Sequence, residues 1–280
     1  MVTDSAAGLL RARGLRPRKG LGQNFLTDPV ALARILEAAD IGPADLVVEV
    51  GAGTGALTRL LAERAGRVLA LEMDPKLVEL LHQQLADLPN VEILQGDVLQ
   101  FSTSRLGDQV YKVVGNLPYY ITSAILRHFL EKAPRPELMV VTVQREVAAR
   151  IVAGPGDMSL LAVSVQLYGR PRIAARIPAG AFYPPPQVDS AVLRIEVSQH
   201  PSLLHQAGLK ESEFFRVVRA GFSQKRKTLR NSLSAGLGLA PAETEGFLNQ
   251  AGIDPRSRAE KLSLEEWARV VSVIYGPGEG

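Results

Sequence analysis

The chain has 280 residues, is 46% hydrophobic, contains no cysteine and carries a formal net charge of +3. That length allows one large domain, or a large one with a small companion, and the lack of cysteine excludes disulfides, thiol catalysis and cysteine-ligated zinc. No apolar run approaches the ~20 residues that span a bilayer, and the short N-terminal apolar stretch precedes its arginines, unlike a secretory leader; the expectation is a cytoplasmic protein.

Taken in chain order, the first signal is a basic cluster of Arg11, Arg13, Arg16, Arg18 and Lys19. Asp45–Val50 then reads as a buried strand, Gly55–Arg64 as a helix and Arg67–Leu71 as a second strand. Pro75–Leu88 (helix), Val91–Leu94 (strand), Val110–Val114 (strand), Ser123–Glu131 (helix) and Leu138–Val143 (strand) continue the alternation. This pattern predicts a parallel, doubly wound sheet, with ligands bound beyond the carboxyl ends of its strands. Arg172–Ile177 and Ala191–Val197 are further strand candidates. Between them Phe182-Tyr183-Pro184-Pro185-Pro186 must be stiff and extended, because proline fixes φ and cannot join a ladder. Beyond residue 200 only helices are expected, at Glu211–Phe222, Lys227–Leu233, Pro241–Gln250 and Ser263–Tyr275. The predicted division is therefore an α/β domain over 1–200, with a basic N-terminal extension, and an all-helical domain over 201–280. A second basic cluster, Lys225, Arg226, Lys227 and Arg230 with Arg216 and Arg219 before it, lies in that helical part. Each cluster alone fits a solvated helix face; together they point to a phosphate backbone as partner.

The first strand runs into Gly51-Ala52-Gly53-Thr54-Gly55-Ala56. Glycines there let the backbone turn tightly and approach a ligand closely. On its own this loop fits a dinucleotide site, a methyl-donor site or a plain strand–helix turn. Glu72, at the end of the second strand, is placed to accept from ribose hydroxyls. Asp97, after the third, is placed to accept from an adenine amino group. The fourth strand ends in Asn116-Leu117-Pro118-Tyr119, which departs from a dehydrogenase and resembles the acceptor signature of methyltransferases acting on exocyclic amino nitrogens.

Several strings together resemble the small-subunit ribosomal RNA adenine N6-dimethyltransferase family. They are Arg18–Leu26, Val48–Thr58, Asn116–Tyr119, Ala181–Val192 and Phe222–Leu233, within a likeness spanning about residues 18 to 270. The last two strings discriminate, since the others occur in several methyltransferase families. Departures at Ala52, Thr54, Ser123-Ala124 and the Pro155–Leu160 loop concern local geometry and leave the reaction unchanged. The resemblance implies a Rossmann-like class I methyltransferase sheet with a small C-terminal all-helical domain, and S-adenosylmethionine as cofactor. It implies dimethylation of two adjacent adenosines near the 3′ end of 16S rRNA during ribosome assembly, on a pre-30S particle, by a monomer with no metal and no membrane partner. It carries over Asn24, Leu26, Gly51, Glu72, Asp97 and Asn116 as cofactor ligands. Asn116, Leu117, Pro118, Tyr119 and Phe182 become the acceptor site, with Tyr119 and Phe182 stacking on the flipped base. Lys225, Arg226, Lys227 and Arg230 become contacts to RNA phosphates.

Three rivals remain. Resistance-type methyltransferases perform the same chemistry on a large-subunit adenine, a non-catalytic assembly factor would bind RNA alone, and an NAD-dependent dehydrogenase would need a hydride-transfer site. The four histidines, His82, His128, His200 and His205, form no motif for the last.

Overall fold

A computed structural model of the chain describes residues 6–199 and 202–276; His200 and the expected boundary at 200/201 lie outside the described residues. The elements, in order, are α1 (Ala6–Ala12), β1 (Phe25–Leu26), α2 (Pro29–Ala39), β2 (Leu46–Val50), α3 (Ala56–Ala62), β3 (Arg67–Glu72), α4 (Pro75–Gln84), β4 (Val91–Gln95), β5 (Tyr111–Asn116), α5 (Thr122–Glu131), β6 (Leu138–Gln144), α6 (Arg145–Ile151), α7 (Leu160–Gln166), β7 (Gly169–Ile177), β8 (Phe182–Tyr183), β9 (Ser190–Val197), α8 (Ser202–Gln206), α9 (Glu211–Phe222), α10 (Leu229–Leu237), α11 (Pro241–Gln250) and α12 (Leu264–Tyr275).

Seven strands form one sheet in the order β4-β3-β2-β5-β6-β9-β7. The five from β4 to β6 are parallel, whereas β9 runs antiparallel to β6. The order grows outward from β2 in both directions, so the chain reverses its winding between β2 and β5. In an open α/β sheet that switch point is where a crevice opens. All five residues of β2 are buried, as expected of a strand covered on both faces. Val47, Val114, Val140 and Val192 belong to one apolar cluster with Ile35 and Leu36 of α2 and Leu57 and Leu61 of α3. Two sheet-facing helices begin in the same way. Asp28 accepts from Val30 N–H ahead of Pro29, and Asp74 accepts from Lys76 N–H ahead of Pro75, each satisfying a donor that the first turn leaves free.

The chain divides into two compact units, but not at one point. The first takes residues up to Ala148 and then Arg170–Gln199; the second takes Ala149–Gly169 and the chain beyond Gln199. The segment 149–169 therefore departs from the expected boundary near 200. The reason lies in its side chains. Tyr168 donates to the Glu211 carboxylate at 2.8 Å and stacks on Phe215 at 6.2 Å, while Gly156 and Met158 N–H both donate to Glu260 O. Within this unit Trp267 is fully buried, and a Cβ on Gly221 would lie 2.3 Å from its Cη2, so α9 and α12 approach as closely as glycine allows. Among the described residues no helix is long and apolar enough to cross a membrane.

Candidate active site

The site is built at the carboxyl ends of β2, β3 and β5. After Val50, Gly51 and Ala52 N–H both donate to Leu71 O at 2.9 and 3.1 Å, which swings the chain across the end of β3. Gly51, Gly53 and Gly55 hold φ of 76°, 59° and 81°, a region costly for residues with a Cβ. A Cβ on Gly53 would also come within 3.1 Å of the Phe25 ring. The loop is therefore a bare backbone cradle.

Glu72 closes one side. Its Oε2 accepts from Gly53 N–H at 2.9 Å, and its Oε1 accepts from Met73 and Asp74 N–H at 2.8 and 2.9 Å. Burial pushes its pKa up, and these backbone donors pull it partly back. The three donors fix the carboxylate's direction. Asp97 similarly caps the turn that follows β4, accepting from Leu99 N–H at 2.9 Å.

Asn116 ends β5 opposite the glycine loop, because Gly115 lies in register with Val50. Its Nδ2 donates to Asn24 O at 2.7 Å, and Asn24 Nδ2 in turn donates to Gly22 O at 3.2 Å. The segment around Asn24 is thereby fastened to the end of β5. Asn116 Oδ1 is left buried with no hydrogen-bond partner. Buried acceptors in this condition are uncommon and call for an explanation. Next along the chain, Leu117 N–H donates to Thr142 O at 3.1 Å, while Pro118 O accepts from both Ile121 N–H and the Thr122 hydroxyl at 3.2 Å.

Asn24, Gly51, Glu72, Asp97, Asn116 and Pro118 thus line one cleft. The other expected residues sit differently. Leu26 packs in the core and lines a smaller cavity beneath the glycine loop, and Leu117 is buried. Tyr119 is half-buried, with its hydroxyl 2.6 Å from that of Ser190. Phe182 corrects the expectation of a ring presented to a base. It is 3% exposed and packs with Leu26 and Leu32, because β8 pairs antiparallel with β1 and draws it inward. Sequence reading missed Met73, Val98, Tyr120 and Ile121, which supply part of the apolar lining of the cleft. Tyr120 is 60% exposed, and a Cβ on Gly22 would touch its ring at 3.2 Å. The local signal was the second aromatic of Tyr119-Tyr120, which the acceptor motif overshadowed.

In the helical unit Lys225, Arg226 and Lys227 are exposed in the turn between α9 and α10, so the helix expected from residue 227 starts at Leu229. Arg230, on α10, pairs with Glu245 at 3.0 Å. Arg219 lies over the Phe215 ring at 5.6 Å. At the other end of the chain Arg18 pairs with Asp74 at 3.5 Å.

The model of the ribosomal RNA adenine dimethylase family matches residues 14–275. The ribosomal RNA small subunit methyltransferase A of Dehalococcoides mccartyi (strain ATCC BAA-2266 / KCTC 15142 / 195) is 48% identical over 96% of this chain and 92% of its own length. The protein of that name from Pelotomaculum thermopropionicum is 45% identical over 96% and 95%. Among solved structures, a dimethyladenosine transferase from Plasmodium falciparum has the same fold, with a TM-score of 0.74 at 23% identity over 88% of this chain and 95% of that one. The 23S rRNA methyltransferase ErmE is similar at a TM-score of 0.69 and 30% identity, over 89% and 99%.

Proposed function

The chain belongs to the ribosomal RNA adenine dimethylase family and is an rRNA adenine dimethyltransferase; on that premise we propose that S-adenosylmethionine is its methyl donor and that its acceptors are two adjacent adenosines near the 3′ end of 16S rRNA. It acts as a monomer in the cytoplasm on an assembling small subunit. The observation that carries this reading is Asn116 Oδ1, buried and unpartnered in a cleft that also holds the glycine cradle and Glu72. The sequence relatives named for the small subunit, at 48% and 45% identity, favour that substrate over the one named for ErmE, at 30%.

The residues present fit the cofactor. Glu72 is held by backbone donors in the orientation a pair of ribose hydroxyls requires, and Asp97 stands where an adenine amino group would donate. Met73, Val98 and Ile121 give the cleft apolar lining suited to a flat base. Gly51 leaves room for the amino-acid end, and Asn24 would bring its backbone over it. When bound, the cofactor supplies a methyl group activated on a sulfonium.

The remaining task falls to the acceptor side. Adenine N6 is a weak nucleophile because its lone pair is shared with the ring. Asn116 Oδ1 accepts one N6 hydrogen. Pro118 O is already engaged twice, so Leu117 O accepts the other, restricted on one side by the Pro118 ring and on the other by the preceding peptide, whose Leu117 N–H donates to Thr142 O. Two fixed acceptors favour a pyramidal nitrogen aimed at the methyl group, which is pre-organisation rather than base catalysis. The methylated nitrogen releases its proton to water. Tyr119, tethered through its hydroxyl to Ser190, stacks on the extruded base. Lys225, Arg226, Lys227 and Arg230 meet RNA phosphates, adding affinity without base specificity.

The test is methyl transfer from labelled cofactor to small subunits, large subunits and free rRNA from a host lacking the modification, followed by digestion to nucleosides. Dimethyladenosine confined to small-subunit RNA is the expected result. Label in large-subunit RNA would move the substrate to that of ErmE, and no label at all would leave an RNA-binding assembly factor.

A further inference from the structure

A small cavity beneath the glycine loop shares Phe25, Gly51, Gly53 and Asn116 with the cleft above it, and Glu49 is part of its lining. Glu49 is the fourth residue of β2 and is 1% exposed. Its Oε2 has no hydrogen-bond partner, and neither do the Thr58 hydroxyl on α3 nor Asn116 Oδ1. Leu26, Leu32 and Leu57 line the same cavity. A carboxylate buried in such surroundings without a cation is costly, and a group of this kind keeps its proton instead. Burial pushes the Glu49 pKa up to about 8; the Thr58 hydroxyl, near the carboxyl but outside hydrogen-bonding geometry, pulls the other way more weakly, and the negative charge of Glu72 adds to the rise. Among the described residues Glu72 is the charged group whose field acts on it.

Building on the proposed cofactor, we propose that Glu49 is a charge-compensating group: a neutral acid in the cofactor-free protein that gives its proton to solvent when the cationic methyl donor fills the adjoining cleft. No covalent bond to the cofactor forms or breaks. The carboxyl O–H bond is broken, water takes the proton, and the carboxylate stays behind as counter-charge. An opposite charge brought near a buried acid lowers its pKa, and the same coupling energy strengthens binding of that charge. The thioether product has the same amino and carboxylate groups but lacks the sulfonium charge. It therefore draws less ionisation from Glu49 and is held less tightly. Dimethylation needs two methyl donors in succession, and this difference favours exchange of product for fresh cofactor between transfers.

The test is calorimetric titration of the full-length protein with S-adenosylmethionine at about pH 7, in buffers of different ionisation enthalpy. Since the free acid is mostly protonated there, roughly one proton should be released per cofactor bound, and affinity should tighten about tenfold per pH unit between the bound-state and free-state pKa values. S-adenosylhomocysteine should release fewer protons, and in Glu49→Gln the heat should become independent of buffer for both ligands. An infrared difference spectrum of the unmutated protein provides a check that needs no variant: a protonated-carboxyl band should disappear when cofactor is added. Cofactor binding with buffer-independent heat, or equal proton release in Glu49→Gln, would overturn the role of Glu49 and leave the methyltransferase reading standing. Failure of S-adenosylmethionine to bind would overturn both.

Discussion

Glu72 and Glu49 are buried carboxyl groups on neighbouring strands at the same end of the sheet, and they are treated in opposite ways. Glu72 sits on the rim, where three backbone N–H groups converge on its oxygens. Glu49 sits beneath the loop, where Oε2 meets none. The rim provides oriented acceptors for neutral hydroxyl and amino groups. The cavity beneath stores an uncompensated acid. The contrast teaches that burial alone does not assign a carboxylate its role; the donors placed around it do.

Asn116 belongs with the unsatisfied class, and removing it should have the largest effect. Asn116→Ala should lower single-turnover methyl transfer by about 10²–10³-fold, the usual loss when one fixed polar group facing a developing charge is deleted. Because the variant also frees Asn24 O, cofactor affinity should fall too, but by less. Equal losses in both would reduce Asn116 to a fastener of the N-terminal segment. On the satisfied side, Glu72→Gln replaces one of the two acceptor oxygens with an NH2 group, so either the bond from Gly53 or those from Met73 and Asp74 are lost, whichever way the amide turns. With about 1.5–3 kcal/mol per charged hydrogen bond at stake, cofactor affinity should drop some 10–100-fold while transfer at saturating cofactor changes little. A drop in transfer without a change in affinity would move Glu72 away from the ribose.

Much of this was legible in the chain. The strands from β2 to β6 announce themselves as apolar runs, and glycines, Glu72, Asp97 and Asn116 fall at their ends, so periodicity and spacing located the cleft. Other features were not readable locally. Strand periodicity carries no direction, so β9 gave no sign that it runs antiparallel to β6. Phe182, beside three prolines, could have faced a ligand or the core; its two-residue pairing with Phe25–Leu26 decided that, and such a long-range pairing leaves no local mark. The segment 149–169 joins the helical unit through the contacts of Tyr168, which sequence order conceals. Glu49 did leave a mark, a lone acid in Leu46-Val47-Val48-Glu49-Val50, but its condition depends on what surrounds it.

The basic turn offers a separate comparison, since Lys225, Arg226 and Lys227 are exposed whereas Arg230 already has Glu245 as a partner. Converting the first three to Gln should reduce the salt slope of RNA binding by about one for each phosphate no longer neutralised. Arg230→Gln should change it less. Transfer at saturating RNA should stay near the unmutated rate in both variants. An unchanged slope in the triple variant would remove this turn from the RNA interface.

A final comparison separates the two carboxyl groups without any ligand. The Glu49 carboxyl has the ordinary value of 4.5 when the chain unfolds and about 8 when it is folded. The folded state therefore binds its proton more tightly, so its contribution to stability is complete below 4.5 and fades as pH climbs toward 8. Glu72, also shifted upward, adds a slope of the same sign that its three donors moderate. The melting temperature of the cofactor-free protein should fall across this window, and Glu49→Gln, which cannot ionise, should flatten the decline while leaving the part due to Glu72. Saturating S-adenosylmethionine should flatten it as well, because the bound cation lets Glu49 ionise within the fold. Parallel melting curves for the two proteins across that range would mean that Glu49 already has a partner, and the contrast between rim and cavity would fail.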